Sequence, residues 1–219
     1  MRLGQMTRMM NRRTVLLGLG AVLIAPEAFA QTAPSVLTGA ERTAAIAAAN
    51  RSLNSVQRMH GRFTQTSPGN QRATGAFYMQ RPGRLRFEYD APSTLLIVSD
   101  GSVVALRDTE LRTTERTPLR STPLHFILAA QIDLERDARI MRVSRADQWT
   151  LITVRDRTGQ TEGQIVLQFY GPQTELRSWD VTDATGSRTR IALSNVTRPA
   201  SFDRRLFRLD DVLTDRGRR

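Results

Sequence analysis

The sequence predicts a mainly β domain with a few helices, an α+β fold built on one antiparallel barrel or strongly curved sheet. Three observations predict it. Leu85, Phe87 and Tyr89 alternate with Arg84, Arg86 and Glu88, the period of a strand with one apolar and one wetted face. Asp100-Gly101 stands between Leu95-Leu96-Ile97-Val98 and Val103-Val104-Ala105-Leu106, a strong hairpin signal. Strand-like runs then recur at short, regular intervals as far as Val196, with Gly, Pro, Asn and Asp between them.

Residues 1–30 read as a secretory signal peptide. Arg2, Arg8, Arg12 and Arg13 make a positive start, residues 15–25 are apolar but too short to span a bilayer, and Ala28-Phe29-Ala30 is a small-residue cleavage site. Cleavage is expected after Ala30, and Arg12-Arg13 leaves both the general and the twin-arginine export routes open. Residues 31–219 are then a single domain, large enough to bury a core. Residues 31–37 are small and polar and read as a loose lead-in. A helix follows over 38–57, with Thr38 and Glu41 as a capping box and Ala45, Ala48, Ala49, Leu53 and Val56 as a narrow apolar stripe.

Strands are expected at 62–66 and 75–80 around the turn Pro68-Gly69-Asn70, at 84–89, 95–98 and 103–107, and at 110–113. Thr122 as cap and Pro123 at the first helical position predict a short, strongly apolar helix over 122–130. It reads either as a core plug or as a movable cover. Strands return at 138–143, 149–155, 163–170, 176–181 and 188–196. Phe202 and residues 206–209 suggest a last short strand, and 214–219 a mobile basic tail.

Composition excludes more than it selects. The chain has no cysteine, so no disulfide framework and no lipid-anchor cysteine after the expected cleavage site. All 32 basic residues are arginine and the formal charge is +11, with 28 arginines against 20 acidic residues left after residue 30. A GC-rich genome favouring arginine codons would account for the missing lysine without a functional reason, and the arginines do not gather in one segment with interleaved aromatics. A nucleic-acid partner is therefore not expected. His60 and His125 lack metal-ligand spacing, and residues 133–137 lack the spacing and glycine of a calcium loop. There is no Gly-x-Ser-x-Gly elbow and no phosphate-binding glycine loop. The reading is of a non-enzyme with no metal and no cofactor, whose sheet either packs a plain core or encloses an apolar cavity.

The residues Phe63-Thr64-Gln65, Gly75, Phe77, Arg81-Pro82-Gly83-Arg84-Leu85-Arg86-Phe87-Glu88-Tyr89 and Val98-Ser99-Asp100-Gly101 carry a resemblance. It continues through Thr117-Pro118-Leu119 and Thr122-Pro123-Leu124, and weakly to Phe207. Together they resemble the periplasmic outer-membrane lipoprotein carriers, the LolA family. The resemblance implies an unclosed antiparallel barrel covered by a helical lid. It implies a soluble periplasmic chaperone that accepts triacylated lipoproteins from an inner-membrane ABC transporter and passes them to an outer-membrane receptor lipoprotein. It gives Arg81 lid control, where the residues alone read equally as an exposed turn arginine. Phe63, Phe77, Leu85, Phe87, Tyr89, Leu96, Val98 and Phe126 are expected to line the acyl-chain cavity of a monomer. A periplasmic lipid-binding or envelope-sensing module of the same fold is the alternative.

Overall fold

The computed structural model describes residues 33–158 and 163–209. The expected signal peptide and the 214–219 tail lie outside the described residues. Twelve strands among them make one sheet: β1 (Ser35–Val36), β2 (Arg58–Ser67), β3 (Gln71–Gln80), β4 (Arg84–Tyr89), β5 (Leu95–Asp100), β6 (Val103–Asp108), β7 (Thr113–Pro118), β8 (Ala138–Ala146), β9 (Trp149–Asp156), β10 (Gln164–Tyr170), β11 (Glu175–Thr182) and β12 (Arg188–Thr197). Three helices join them, α1 (Gly39–Ser55) and the single turns α2 (His125–Leu128) and α3 (Leu134–Asp137). The order across the sheet is β1-β8-β9-β10-β11-β12-β2-β3-β4-β5-β6-β7, and every ladder is antiparallel. β1 and β7 are edges rather than partners, so the sheet is unclosed, as the family resemblance implied.

Alternation decides which side faces in. Met59, Gly61 and Phe63 on β2 are buried in phase with Gly75, Phe77 and Met79 on β3, and with Leu85 and Phe87 on β4. The same face continues across β9 to β12 through Ile152, Val154, Ile165, Leu167, Trp179, Ile191 and Leu193. α1 lies against this side, packed on β8 and β11 and on α3. Its buried residues are Ala45, Ile46, Ala49 and Leu53. Small alanines bring the helix close to the sheet, and Ile46, absent from the expected stripe, is fully buried. Gly75 serves a similar closeness within the sheet: a Cβ there would lie 2.1 Å from the carbonyl of Glu88 and 2.5 Å from the ring of Phe63.

Several local expectations are corrected. The lead-in is anchored from residue 35, because β1 pairs with β8 and the Leu37 N–H donates to Val143 O at 2.9 Å. Thr38 is the N-cap residue, but its side chain makes no capping bond. Residues 110–113 are not a strand: Asp108 Oδ1 accepts from the N–H groups of Glu110 and Leu111, turning the chain so that β7 starts at Thr113. The helix expected over 122–130 shrinks to one turn, since the Thr122 hydroxyl bonds back to Leu119 O instead of capping forward. Asp133 caps α3, which the acidic run had not suggested. The last expected strand is a 3-10 turn, Arg204–Phe207, packed on β4 and β5.

On the outward face the strands hold a charged network. Asp180 is fully buried, and its carboxylate accepts from Arg188, from Arg190 Nε at 2.7 Å and from Gln168 Nε2 at 2.7 Å. Burial pushes this carboxyl up, but the bonds from Arg190 and Arg188 together outweigh it and hold it below its ordinary value. A carboxyl depressed in the folded state stabilises fully above its unfolded pKa, and that contribution is lost as pH falls through the folded value. Denaturant stability should therefore drop as pH is lowered below about 4, the ordinary carboxylate range, with a shallower drop in Asp180→Asn. Gly75→Ala should cost about 1–3 kcal/mol in the same measurement, through overpacking against Phe63 and Glu88.

Candidate functional site

One largely apolar cavity, about 260 Å³, opens where α1 ends over the sheet. Leu53 and Val56 of the α1 end, Met59 of β2, Met79 of β3, Ile127 of α2, and Leu176 and Val196 supply its apolar wall. Ser52, Arg81, Glu175, Arg177 and Arg198 complete the lining. Two irregularities in the sheet make this opening. On β11, Gln168 of β10 faces Ser178 while Phe169 faces Leu176, which leaves Arg177 as the extra, bulged residue. On β12 the register jumps from Ser194 to Thr197, and Val196 lies in that jump. Regular ladders would have sent both residues elsewhere.

Charge is uneven around the cavity. Glu175 accepts from Arg177 Nη2 at 2.6 Å and lies 3.9 Å from Arg198 Nη2, so one carboxylate serves both rim arginines. Arg81 is the third cation, and it is 5 % exposed. It follows Gly75, Phe77 and Met79 in inward phase. Its main-chain N–H donates to Gln57 O at 2.9 Å and its Nη2 to Val56 O. Both acceptors lie just past α1, whose last turn has no basic residue of its own, so Arg81 supplies the cation that a helix C-terminus favours. Its Nη1 is buried without a hydrogen-bond partner. Burial pushes the guanidinium down to about 10, which leaves it charged at neutral pH.

The turn after Arg81 reaches the second helix. Gly83, at φ +73°, donates its N–H to Leu128 O at 2.7 Å, and its carbonyl accepts from the Ser99 hydroxyl at 2.7 Å. A Cβ on Gly83 would lie 2.5 Å from Gly101 Cα. The Pro82-Gly83 and Asp100-Gly101 turns, prominent in the sequence, are thus packed on each other.

The expected site residues divide into three groups. Phe63, Phe77, Leu85 and Phe87 are buried on the inward face, with Phe126 of α2 and the partly buried Tyr89 in the same core. Phe63 meets Phe87 edge-on at 4.6 Å and Tyr89 at 5.0 Å, and burial pushes the Tyr89 hydroxyl up to about 12. This group is packed core beside the cavity rather than its wall. Leu96 and Val98 are on the other side of the sheet: the register sets them opposite Glu88 and Arg86, and Ile97 takes the inward place opposite Phe87. Ser99, opposite Leu85, shares the inward phase of Ile97. Arg81 lines the cavity, but its side chain holds the end of α1, while the main chain of Gly83 holds α2. Neither is it an exposed turn residue.

Met59 and Met79 were missed although they continue the inward phase of Phe63 and Phe77. Leu176, Arg177, Val196 and Arg198 had no such signal, because bulges break the period that would have revealed them.

Against this geometry, the family profile described as "Outer membrane lipoprotein carrier protein LolA" matches residues 54–210. The chain belongs to the LolA family. Among curated relatives, an outer-membrane lipoprotein carrier protein of Chromohalobacter salexigens is 28% identical over 92% of this chain and 97% of its own. One from Xylella fastidiosa is 31% identical over 78% of this chain and 87% of its own. Among solved structures, a LolA-superfamily protein from Nitrosomonas europaea covers 76% of this chain and 98% of its own, at 8% identity and a TM-score of 0.44. The matched span begins at Asn54, so it takes in the end of α1, Arg81, α2 and both bulged strands. Among the described residues of this LolA-family chain, no helix is long and apolar enough to cross a membrane.

Arg81→Leu should change denaturant stability by no more than about 1–2 kcal/mol, because a lost hydrogen bond and a relieved buried charge offset each other. Amide exchange should nonetheless quicken at residues 53–57. Hydrogen-exchange mass spectrometry checks both halves, and unchanged exchange there would remove Arg81 from control of the helix end.

Proposed function

We propose that this chain is a soluble periplasmic chaperone for lipoproteins, holding their acyl chains inside the curved sheet during transit to the outer membrane. In this reading residues 1–30 direct export and are cut after Ala30. A monomer takes triacylated cargo from an inner-membrane ABC transporter and yields it to a receptor lipoprotein at the outer membrane. The observation that carries the reading is the apolar cavity between the end of α1, α2 and the sheet, in a chain of the LolA family. The work is binding and release, with no bond made or broken.

The cavity must grow to do it. At about 260 Å³ it is below the roughly 300–1,000 Å³ of ordinary small-molecule pockets, and three acyl chains need far more. The space available is that filled by the cover. Phe126, Ile127 and Leu128 of α2 are all buried. Exposing them costs about 1.5–3 kcal/mol each, or roughly 5–9 kcal/mol together. An acyl chain burying about ten methylenes returns roughly 8 kcal/mol. The two nearly cancel for the first chain, so loading and unloading stay reversible. The hydrogen bonds from Gly83 and Arg81 are smaller, about 0.5–3 kcal/mol each. They bias whether the covers sit down without setting cargo affinity. Phe63, Phe77, Leu85, Phe87 and Tyr89 then form the floor that acyl chains reach once α2 lifts.

Native mass spectrometry of the protein from the periplasmic fraction, with a co-expressed lipoprotein, should give a one-to-one complex. Replacing the lipoprotein's acylated cysteine should abolish it, and a complex that persists would sink the acyl-carrier reading. Leu176→Trp, which fills the cavity from its partly open wall, should cut loading severalfold while leaving the unfolding midpoint nearly unchanged.

A further inference from the structure

The cavity is not charge-neutral, and its neutral wall does not explain Arg81. Three arginines, Arg81, Arg177 and Arg198, line it against a single carboxylate, Glu175. Glu175 is already shared between the two rim arginines. Arg81 sits deeper, 95 % removed from solvent, with no carboxylate partner among the described residues and with Nη1 unbonded. A buried guanidinium offset only by the carbonyl end of α1, with no carboxylate beside it, is costly. A buried donor left unbonded adds its own desolvation penalty. The ester and amide carbonyls of an acylated cysteine would satisfy the donor but leave the charge unbalanced. A carboxylate or phosphate would meet both needs with a short, charge-assisted bond.

Size points to the tail such a head must carry. The wall around Arg81 is Leu53, Val56, Met59, Met79, Ile127 and Leu176, apolar side chains from two helices and three strands. The volume suits one alkyl chain with α2 still seated, not two or three. We propose that the closed protein binds a single-chain amphiphile with an anionic head, the tail among these apolar residues and the head on Arg81. A fatty acid and a lysophospholipid share that chemistry. The inference rests on the carrier reading and deepens it: the occupant holds the cavity between cargoes and competes with their first acyl chain. Paired with an anion, Arg81 would also keep its Nη2 on Val56 O, so the ligand steadies the end of α1.

Calorimetric titration of the delipidated protein from the periplasmic fraction tests this with three probes of equal chain length: decanoate, decanol and decanoyl lysophosphatidylglycerol. The expected result is one-to-one binding, with decanoate or the lysophospholipid about tenfold or more tighter than decanol. The better of the two anions identifies the head as carboxylate or phosphate. In Arg81→Gln that preference should vanish, so that the anions and decanol bind alike. Should that variant not fold, the guanidinium nitrogen resonances of Arg81 in the unaltered protein serve instead, and they should shift with the preferred anion but not with decanol. Decanol binding as tightly as both anions overturns the proposal, as does anion binding that leaves the Arg81 resonances unmoved. Lipoprotein loading measured on the same preparation separates the two readings. Loading without anion preference defeats only this inference, and anion preference without loading defeats only the carrier.

Discussion

Both helical covers depend on one short stretch of chain between β3 and β4. Arg81 grips the carbonyls past the end of α1, and two residues later Gly83 grips the end of α2. The stretch is in turn locked from below, since a side chain on Gly83 would collide with the Gly101 backbone, and the Gly83 carbonyl accepts the Ser99 hydroxyl. A perturbation at either cover is therefore felt by the same few atoms. Helix propensity cannot substitute for this tether: α2 is a single turn, and single turns do not hold themselves in water.

The apolar residues of the inward face perform two tasks in different places. Phe63, Phe77, Phe87 and Trp179 interlock through aromatic contacts of 4.6–6.4 Å and give the sheet a fixed floor. Toward the end of α1 the wall changes to Met59, Met79, Leu53 and Leu176, more pliant side chains that leave a void. Methionine adapts to irregular neighbours where an aromatic ring would demand a fixed one. The floor sets the fold, and the pliant end leaves the cavity.

Much of this was legible in the sequence. The alternation in β4, the Asp100-Gly101 turn and the alanine-rich helix all reappear, because each depends on local chemistry that tertiary context does not override. What escaped was non-local. Thr122 could not announce that it would bond backward to Leu119. Ile97 and Val98 are equally apolar, and only the ladder with β4 decides which faces in. The bulges at Arg177 and Val196 shift the phase of β11 and β12, so the charged half of the cavity left no periodic trace. Arg81 was identified through its Arg-Pro-Gly context, but its actual acceptor, a carbonyl 25 residues earlier, is a property of the folded chain.

An unclosed sheet has a mechanical consequence. A closed barrel is a hoop, and widening it strains every ladder around the circumference at once. Here β1 and β7 share no ladder, so the sheet behaves as a bent strip with two free ends. Its radius can change through small, distributed adjustments of twist while all eleven ladders stay intact. Under the proposed carrier function, the volume a bulky guest needs would come from compliance of the strip as well as from the covers, and the recoil of the same strip would favour the guest's release.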